Sequence, residues 1–285
     1  MIIWIASYPK SGNTWIRALI SAYLYSRSGR FSFSDLNKIE QFPNKKYLSS
    51  FLKNFDDPKK VPTYWIPAQY KINSSNDKVF FKTHNAMCTI NGHQFTNKQN
   101  TLACIYVVRD PRNVITSLAN HYGLSKEEAY EFFTNKRKII FAKNISLKGK
   151  ALKEKGNVHF IGSWNEHYLS WKNIGFAPVK IVKYEDLAND TYAEFLSILK
   201  FLNNFILIQI DKKKIKKTVK NCSFEILKKK EKKEGFIEAS ILENNRKITF
   251  FNLGKKNDWK KYLNTEIQKK IRINFFKEMK ELGYL

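Results

Sequence analysis

The chain has 285 residues, with 51 Lys and Arg against 25 Asp and Glu and a formal net charge of +26. That length builds a full core without staples, read as one domain over 1–285, and the charge calls for an anionic partner: nucleic acid, anionic lipid, acidic glycan or a nucleotide. Three cysteines with no CxxC pair exclude a disulfide framework and suit a reducing compartment, and no apolar run of about eighteen residues offers a membrane span.

In chain order, the first element is a short apolar strand, Ile2–Ser7, and a helix follows over Trp15–Tyr25. Lys10 cuts the apolar run short and no basic segment precedes it, so the start does not read as a signal peptide and the expected location is cytoplasmic. The polar stretch 54–78 reads as a loop, and the aromatics of 31–78 read mostly as cover for a sheet. Strands are expected at Val79–Lys82, Leu102–Val108 and Val179–Val182, and helices at Asn113–Tyr122, Lys126–Phe141, Ser163–Lys172 and Ala193–Leu202. Residues 142–158 read as a second loop. Ile267, Ile271, Phe275, Met279 and Leu282 form a helical stripe at the C-terminus. Residues 211–235 hold eleven lysines and four acids and read as solvated helix faces. Continuous apolar strands alternating with helices predict a three-layer α/β fold, with a central parallel sheet flanked by helices and a P-loop-like phosphate cradle after the first strand.

That cradle is SYPKSGNTW, residues 7–15. A strand, a glycine turn and a helix in succession make an anion site, because the helix start presents unpaired N–H groups and a partial positive charge. Gly12 allows close backbone approach, Ser11, Asn13 and Thr14 add donors, and Lys10 adds a full charge. The nucleoside-triphosphate loop GxxxxGK[ST] does not fit, since Trp4 and Pro9 stand where it needs glycines.

YPKSGNTW, 8–15, closely resembles the 5′-phosphosulfate loop of sulfotransferases that use 3′-phosphoadenosine 5′-phosphosulfate (PAPS), whose usual form is YPKSGTTW. Further matches follow in that family's order: VFFKTHNAM (79–87), IYVVRDPRNVITSLANHY (105–122), GSWNEHYLSW (162–171), VKYEDL (182–187), CSFEIL (222–227) and NLGKKNDWKKYL (252–263). The resemblance implies that PAPS is co-substrate and adenosine 3′,5′-bisphosphate (PAP) is product, with no metal. It implies that His84 is the catalytic base and that Arg109 and Ser117 hold the 3′-phosphate. Tyr184 would lie near the cofactor and Phe224 would pack on adenine, with Trp15 on its other face. Gly254 and Lys255 belong to the C-terminal cofactor segment. One departure stands out: the family's Arg-Lys-Gly is here Asn252-Leu253-Gly254, so Lys255, Lys256 or the pair Arg246-Lys247 is expected to substitute for the missing cations, and without such a substitute PAPS is expected to bind more weakly.

For the chemistry, Lys10 is placed to stabilise charge on the leaving bridging oxygen, and His84 to take the acceptor's proton. Lys82 lies two residues before His84 on the same strand face and is read as reaching the sulfonate oxygens. Trp164, His167 and Trp171 read as packing residues on the acceptor side. The five histidines lack metal-ligand spacing. The acceptor is expected to be a small molecule, lipid or glycan, not a specific nucleic acid, and a homodimer is one assembly open to the chain. Two other readings stay open: a P-loop kinase or hydrolase with Asp110 on Mg2+, and a non-enzymatic basic binder of polyanions.

Overall fold

A computed structural model describes residues 1–53, 57–75, 77–141, 158–240 and 247–285. Among the described residues the strands are β1 Ile2–Ser7, β2 Glu40–Gln41, β3 Val79–Thr83, β4 Thr89–Ile90, β5 His93–Gln94, β6 Thr101–Val108, β7 Ile139–Phe141, β8 Val158–Phe160 and β9 Val179–Lys183. The main sheet has the order β2-β3-β1-β6-β9, and every pair in it is parallel. The helices around it are α1 Asn13–Tyr25, α2 Lys45–Leu48, α3 Trp65–Asn73, α4 Pro111–Tyr122, α5 Lys126–Thr134, α6 Trp164–Lys172, α7 Tyr184–Asn189, α8 Thr191–Leu202, α9 Lys212–Asn221, α10 Phe224–Glu234, α11 Trp259–Tyr262, α12 Thr265–Asn274 and α13 Phe276–Glu281.

The three layers follow from strand alternation. Trp4, Ala6, Cys104 and Tyr106 face one core, shared with Leu118 of α4, Phe133 of α5, Trp164, Tyr168 and Trp171 of α6, and Ile271 of α12. Ile3, Ile5, Ala103 and Ile105 face the other, shared with Leu19 of α1, Leu199 of α8 and Ile215 of α9. Both faces of β1 are covered, which is why its sequence is apolar throughout instead of alternating.

The four expected strands are present, each within a residue of its predicted ends. A fifth, β2, is too short to carry a signal: only Glu40 and Gln41 pair with Phe81 and Lys82. The helix expected over Lys126–Phe141 ends at Thr134. Asn135 turns extended there, and Ile139–Phe141 pairs antiparallel with Val158–Phe160 instead. The loop expected at 54–78 is also corrected. Residues 54–56 and 76 lie outside the described residues, but Pro58–Tyr64 forms a 3-10 helix and Trp65–Asn73 forms α3. Pro62 and Pro67 suggest a loop, yet a proline is tolerated in a helix's first turn, and Pro67 sits in the first turn of α3. Of the loop expected at 142–158, residues 142–157 lie outside the described residues, and Val158 begins β8. The lysine-rich stretch does form helices: α9 and α10 bury Ile215, Thr218 and Leu227 and expose most of their lysines. The C-terminal stripe is buried at all five positions but spans two helices, with the break at Phe275.

Register positions the site. Ala6 pairs with Thr83, and Ser7 with Val107, so β1, β3 and β6 end level at one sheet edge. The segments that follow them, 8–12, 84–88 and 109–110, are thereby neighbours, at the edge where open parallel sheets bind ligands.

Trp4 is fully buried, donates from its indole to Thr101 Oγ1 at 3.1 Å, and packs its ring against Phe42, Phe95 and Trp171. Trp4→Ala should lower unfolding free energy by about 3–5 kcal/mol, read by urea denaturation. A loss under about 1 kcal/mol would mean that this aromatic cluster does not hold the sheet.

Candidate active site

The turn between β1 and α1 is built from two left-handed residues. Lys10 has φ +67° and Gly12 has φ +108°. A Cβ on Gly12 would stand 2.7 Å from Cδ2 of Tyr184, so the ring lies directly on the glycine backbone. Arg109 stacks on the same tyrosine, with its guanidinium carbon 4.0 Å from the ring centroid. Trp15 flanks it, ring centroids 5.7 Å apart. Tyr184, at the start of α7, is thus the platform on which three sequence-distant motifs meet.

Asn13 differs from a simple donor into the cavity. Its amide donates to Ile5 O at 2.8 Å and to Ser7 Oγ at 3.2 Å, pinning the turn to β1. Ser11 is fully buried, and its Oγ has no hydrogen-bond partner among the described residues. Trp15 donates its indole N–H to Cys222 O at 2.8 Å, which fixes the α9–α10 junction against α1.

His84 lies just past β3. Its Nδ1–H donates to Ser7 O at 2.8 Å, which leaves Nε2 with its lone pair. Burial and the nearby Lys82 charge hold its pKa well below the ordinary histidine value, so the ring is neutral at neutral pH. Behind it, His167 donates from Nε2 to His84 O at 3.1 Å, and Trp171 donates from its indole to Asn85 O at 2.9 Å. His167 Nδ1 in turn meets Tyr106 Oη at 2.8 Å. Trp164, His167 and Trp171 are all fully buried, so they form no acceptor-side wall. Two of them fix the backbone that carries His84.

Lys10, Lys82, His84 and Arg109 line one cavity of about 120 Å³, together with Gly12, Asn13, Thr14, Trp15, Ser117, Tyr184, Phe224 and Gly254. Lys10 extends over the Phe250 ring, 3.6 Å from its centroid. Burial lowers the Lys10 pKa to about 7; Glu238 opposes that shift, and the Lys82 and Arg109 charges add to it. Arg109 reaches Ser117 Oγ at 3.4 Å, and its Nε has no partner among the described residues. Gly254, at φ +57°, lies against the Phe224 ring, where a Cβ would come within 2.7 Å. Ser11 and Lys255 stand apart: Ser11 sits behind the turn, and Lys255 faces an adjoining groove with Lys228, Lys229, Lys232, Lys247 and Lys256. Lys228 donates to Asn252 O at 2.5 Å, bringing a cation to the loop where Asn252 and Leu253 carry none. Arg246 lies outside the described residues.

Residues 2–283 match the family model described as the sulfotransferase domain. The chain belongs to the sulfotransferase family. It is 25% identical to cytosolic sulfotransferase 9 of Arabidopsis thaliana, over 99% of this chain and 79% of that one. It is 27% identical to flavonol 3-sulfotransferase of Flaveria bidentis, over 94% of this chain and 78% of that one. A mouse sulfotransferase crystallised with PAP shares the fold at TM-score 0.60 and 20% identity, covering 98% of this chain and 84% of that one.

Several cavity residues of this sulfotransferase carry no signal of their own in the sequence. Asn257 donates to Asn113 O at 2.9 Å and to Ser117 Oγ at 3.1 Å, and accepts from Thr116 Oγ1 at 2.7 Å, so it ties the C-terminal loop to α4. His159 stands 6.2 Å from His84, ring to ring, and His121 meets Ser240 Oγ at 3.2 Å. Glu238 reaches the cavity from more than 220 residues away in sequence, its Oε2 accepting from Thr14 Oγ1 at 2.8 Å. Two of these sit inside motifs that the sequence already marks, Asn257 in NLGKKNDWKKYL and His121 in IYVVRDPRNVITSLANHY, while His159 and Glu238 lie in none.

Gly12→Ala combines a left-handed backbone, which costs a non-glycine residue about 1–2 kcal/mol, with the contact against Tyr184. It should destabilise the folded chain by at least that amount in urea unfolding. A neutral result would show that Tyr184 moves aside freely.

Proposed function

We propose that the chain transfers a sulfuryl group from PAPS, in line, to a hydroxyl or amine of a small-molecule, lipid or glycan acceptor. The observation that carries this reading is the convergence of Lys10, Lys82, His84 and Arg109 on one cavity at the amino end of α1. The residues fit such a donor. Helix α1 has no acidic residue in its first turn, so its positive end is not offset from within the helix. Arg109, which lines the cavity, has a buried Nε that lacks a partner among the described residues. Gly12 and Gly254 leave flat backbone beside Tyr184 and Phe224. PAPS would supply the activated sulfuryl group.

In this reading Lys10 binds the 5′ end and offsets the charge that grows on the leaving oxygen. Lys82 orients the sulfonate, and Ser11, Asn13 and Thr14 support the cradle. Arg109 and Ser117 hold the 3′-phosphate. Trp15, Tyr184, Phe224 and Gly254 frame adenine, and Lys255 with Lys228 contributes positive charge at its rim. His84, neutral and with Nδ1–H committed to Ser7 O, accepts the acceptor's proton at Nε2. The whole of 1–285 is read as one such domain. Curated relatives are named cytosolic sulfotransferases, and among the described residues no helix is long and apolar enough to cross a membrane. A cytoplasmic location is proposed on the first of these.

The kinase reading finds no support. Asp110, its candidate Mg2+ ligand, caps α4 by accepting from Arg112 N at 2.9 Å and pairs with the Arg112 guanidinium at 2.6 Å. Trp4 is core, not part of a phosphate loop.

Lys10→Ala and His84→Ala should each lower transfer of labelled sulfate from PAPS by at least about a hundredfold, within the usual range for a positioned acid–base or electrostatic group. Near-normal turnover with either variant would sink this assignment. A second test uses the Lys10 pKa of about 7. An anion favours charged Lys10, so PAP binding at pH 8 should take up protons and weaken as pH rises through 7 and beyond. Calorimetry in two buffers of different ionisation heat measures that uptake. It should vanish in Lys10→Arg, whose side chain does not titrate there. Equal uptake in both proteins would assign it elsewhere.

A further inference from the structure

The cavity's cations already hold an anion, and it belongs to the chain. Glu238 Oε1 lies 2.5 Å from Arg17 Nη1 and 3.5 Å from Lys82 Nζ, while its Oε2 accepts from Thr14 Oγ1 at 2.8 Å. Thr14 stands in the first turn of α1, where backbone N–H groups have no partner within the helix. A two-oxygen anion at that place has the chemistry of a bound phosphoryl or sulfonyl group. We infer that Glu238 occupies the donor's anion subsite in the free enzyme, so that PAPS or PAP must displace it. This rests on the donor reading above.

The segment carrying Glu238 is shaped as a strap. Helix α10 ends at Glu234, and Gly235 takes φ +75°. Phe236 then inserts among Phe33, Phe250 and Phe251, with ring centroids 4.6, 4.9 and 5.5 Å away. Ile237 turns outward, 94% exposed. Glu238 dips back to the α1 terminus, and Ser240 is held by His121 and by Ile248 N at 2.8 Å. Phe250 comes down with it, onto Lys10. Glu238 and Phe250 both line the cavity of about 120 Å³, and Glu238 also lines the groove that adjoins it. The Thr14 hydroxyl has one proton and cannot donate to the carboxylate and to a donor phosphate at the same time.

The carboxylate also has a reason to be there. Lys10, Arg17, Lys82 and Arg109 crowd one poorly hydrated space, and buried charge without a counter-ion is costly. Burial pushes the Glu238 pKa up, but Lys82, Arg17 and the Thr14 hydroxyl outweigh it, so the group stays ionised. A donor with several negative charges replaces a single one. The strap therefore stabilises the free enzyme and weakens its grip on nucleotide.

Wild type, Glu238→Gln and Glu238→Asp should be compared by thermal unfolding and by calorimetric titration with PAP, followed by a crystal structure of the wild-type PAP complex. Glu238→Gln should melt lower than wild type without PAP, yet bind PAP at least about tenfold more tightly (a difference of roughly 1.4 kcal/mol or more) and gain more melting temperature from it. Glu238→Asp, whose carboxylate is drawn back by one methylene, should fall between them. In the PAP complex, Glu238 should no longer be within hydrogen-bond distance of Thr14 Oγ1. PAP affinity in Glu238→Gln within twofold of wild type, or weaker, overturns the inference and leaves Glu238 as a structural counter-ion of Arg17. So does a PAP complex with the Thr14 contact intact. Should Glu238→Gln fail to fold, equal PAP affinity in Glu238→Asp and wild type overturns it. A wild type that binds no PAP removes the donor reading itself, which separates the two failures.

Discussion

The amino end of α1 gathers positive charge that the protein must neutralise. Lys10, Arg17, Lys82 and Arg109 reach it from four different positions in the chain, and the helix itself adds a partial positive charge there. Like charges at such distances repel strongly where water is scarce. The arrangement is tolerable because an anion completes it. Burial, with the neighbouring cations adding to it, lowers the Lys10 pKa and keeps His84 neutral, and the same cations keep Glu238, drawn from a remote segment, ionised.

Precision comes from how this charge is mounted. Tyr184 lies flat on Gly12 and carries Arg109 on its ring, so cradle, guanidinium and tyrosine share one packed unit. Asn13 fastens the turn back to β1. His84 is fixed from both sides: Ser7 O takes its Nδ1–H, and His167 and Trp171 hold the carbonyls of residues 84 and 85. The motif GSWNEHYLSW therefore acts through the backbone of the histidine and not by lining the cavity. Core packing and the placement of His84 meet at that point, since His167 is itself oriented by Tyr106 within the sheet.

The departure at Asn252 and Leu253 has a local answer. Lys228 projects from α10 onto Asn252 O, and Asn257 binds the same loop to Ser117 and Asn113. Asn257 thus anchors the loop at Ser117, and Lys228 brings a cation to the backbone of Asn252. The exposed α10 lysines Lys228, Lys229 and Lys232 line the adjoining groove without entering the cavity.

The sequence by itself determined what contiguous residues can encode. Buried strands show as apolar runs, and the turn 7–15, the strand-end His84 and the helix after Pro111 each occupy a short window, so the fold class and the charged and glycine residues of the cradle were legible. Tertiary structure decided the rest, because it depends on contacts between distant segments. Strand β2 exists only through its pairing with β3. Helix α5 stops where β7 finds β8. Asn13 reads as a ligand donor until Ile5 O is seen to take its amide, and Glu238 carries no sequence reading until the fold sets it against Thr14, Arg17 and Lys82. A carboxylate's partners are fixed by distance in space, and nothing in its neighbours along the chain records them.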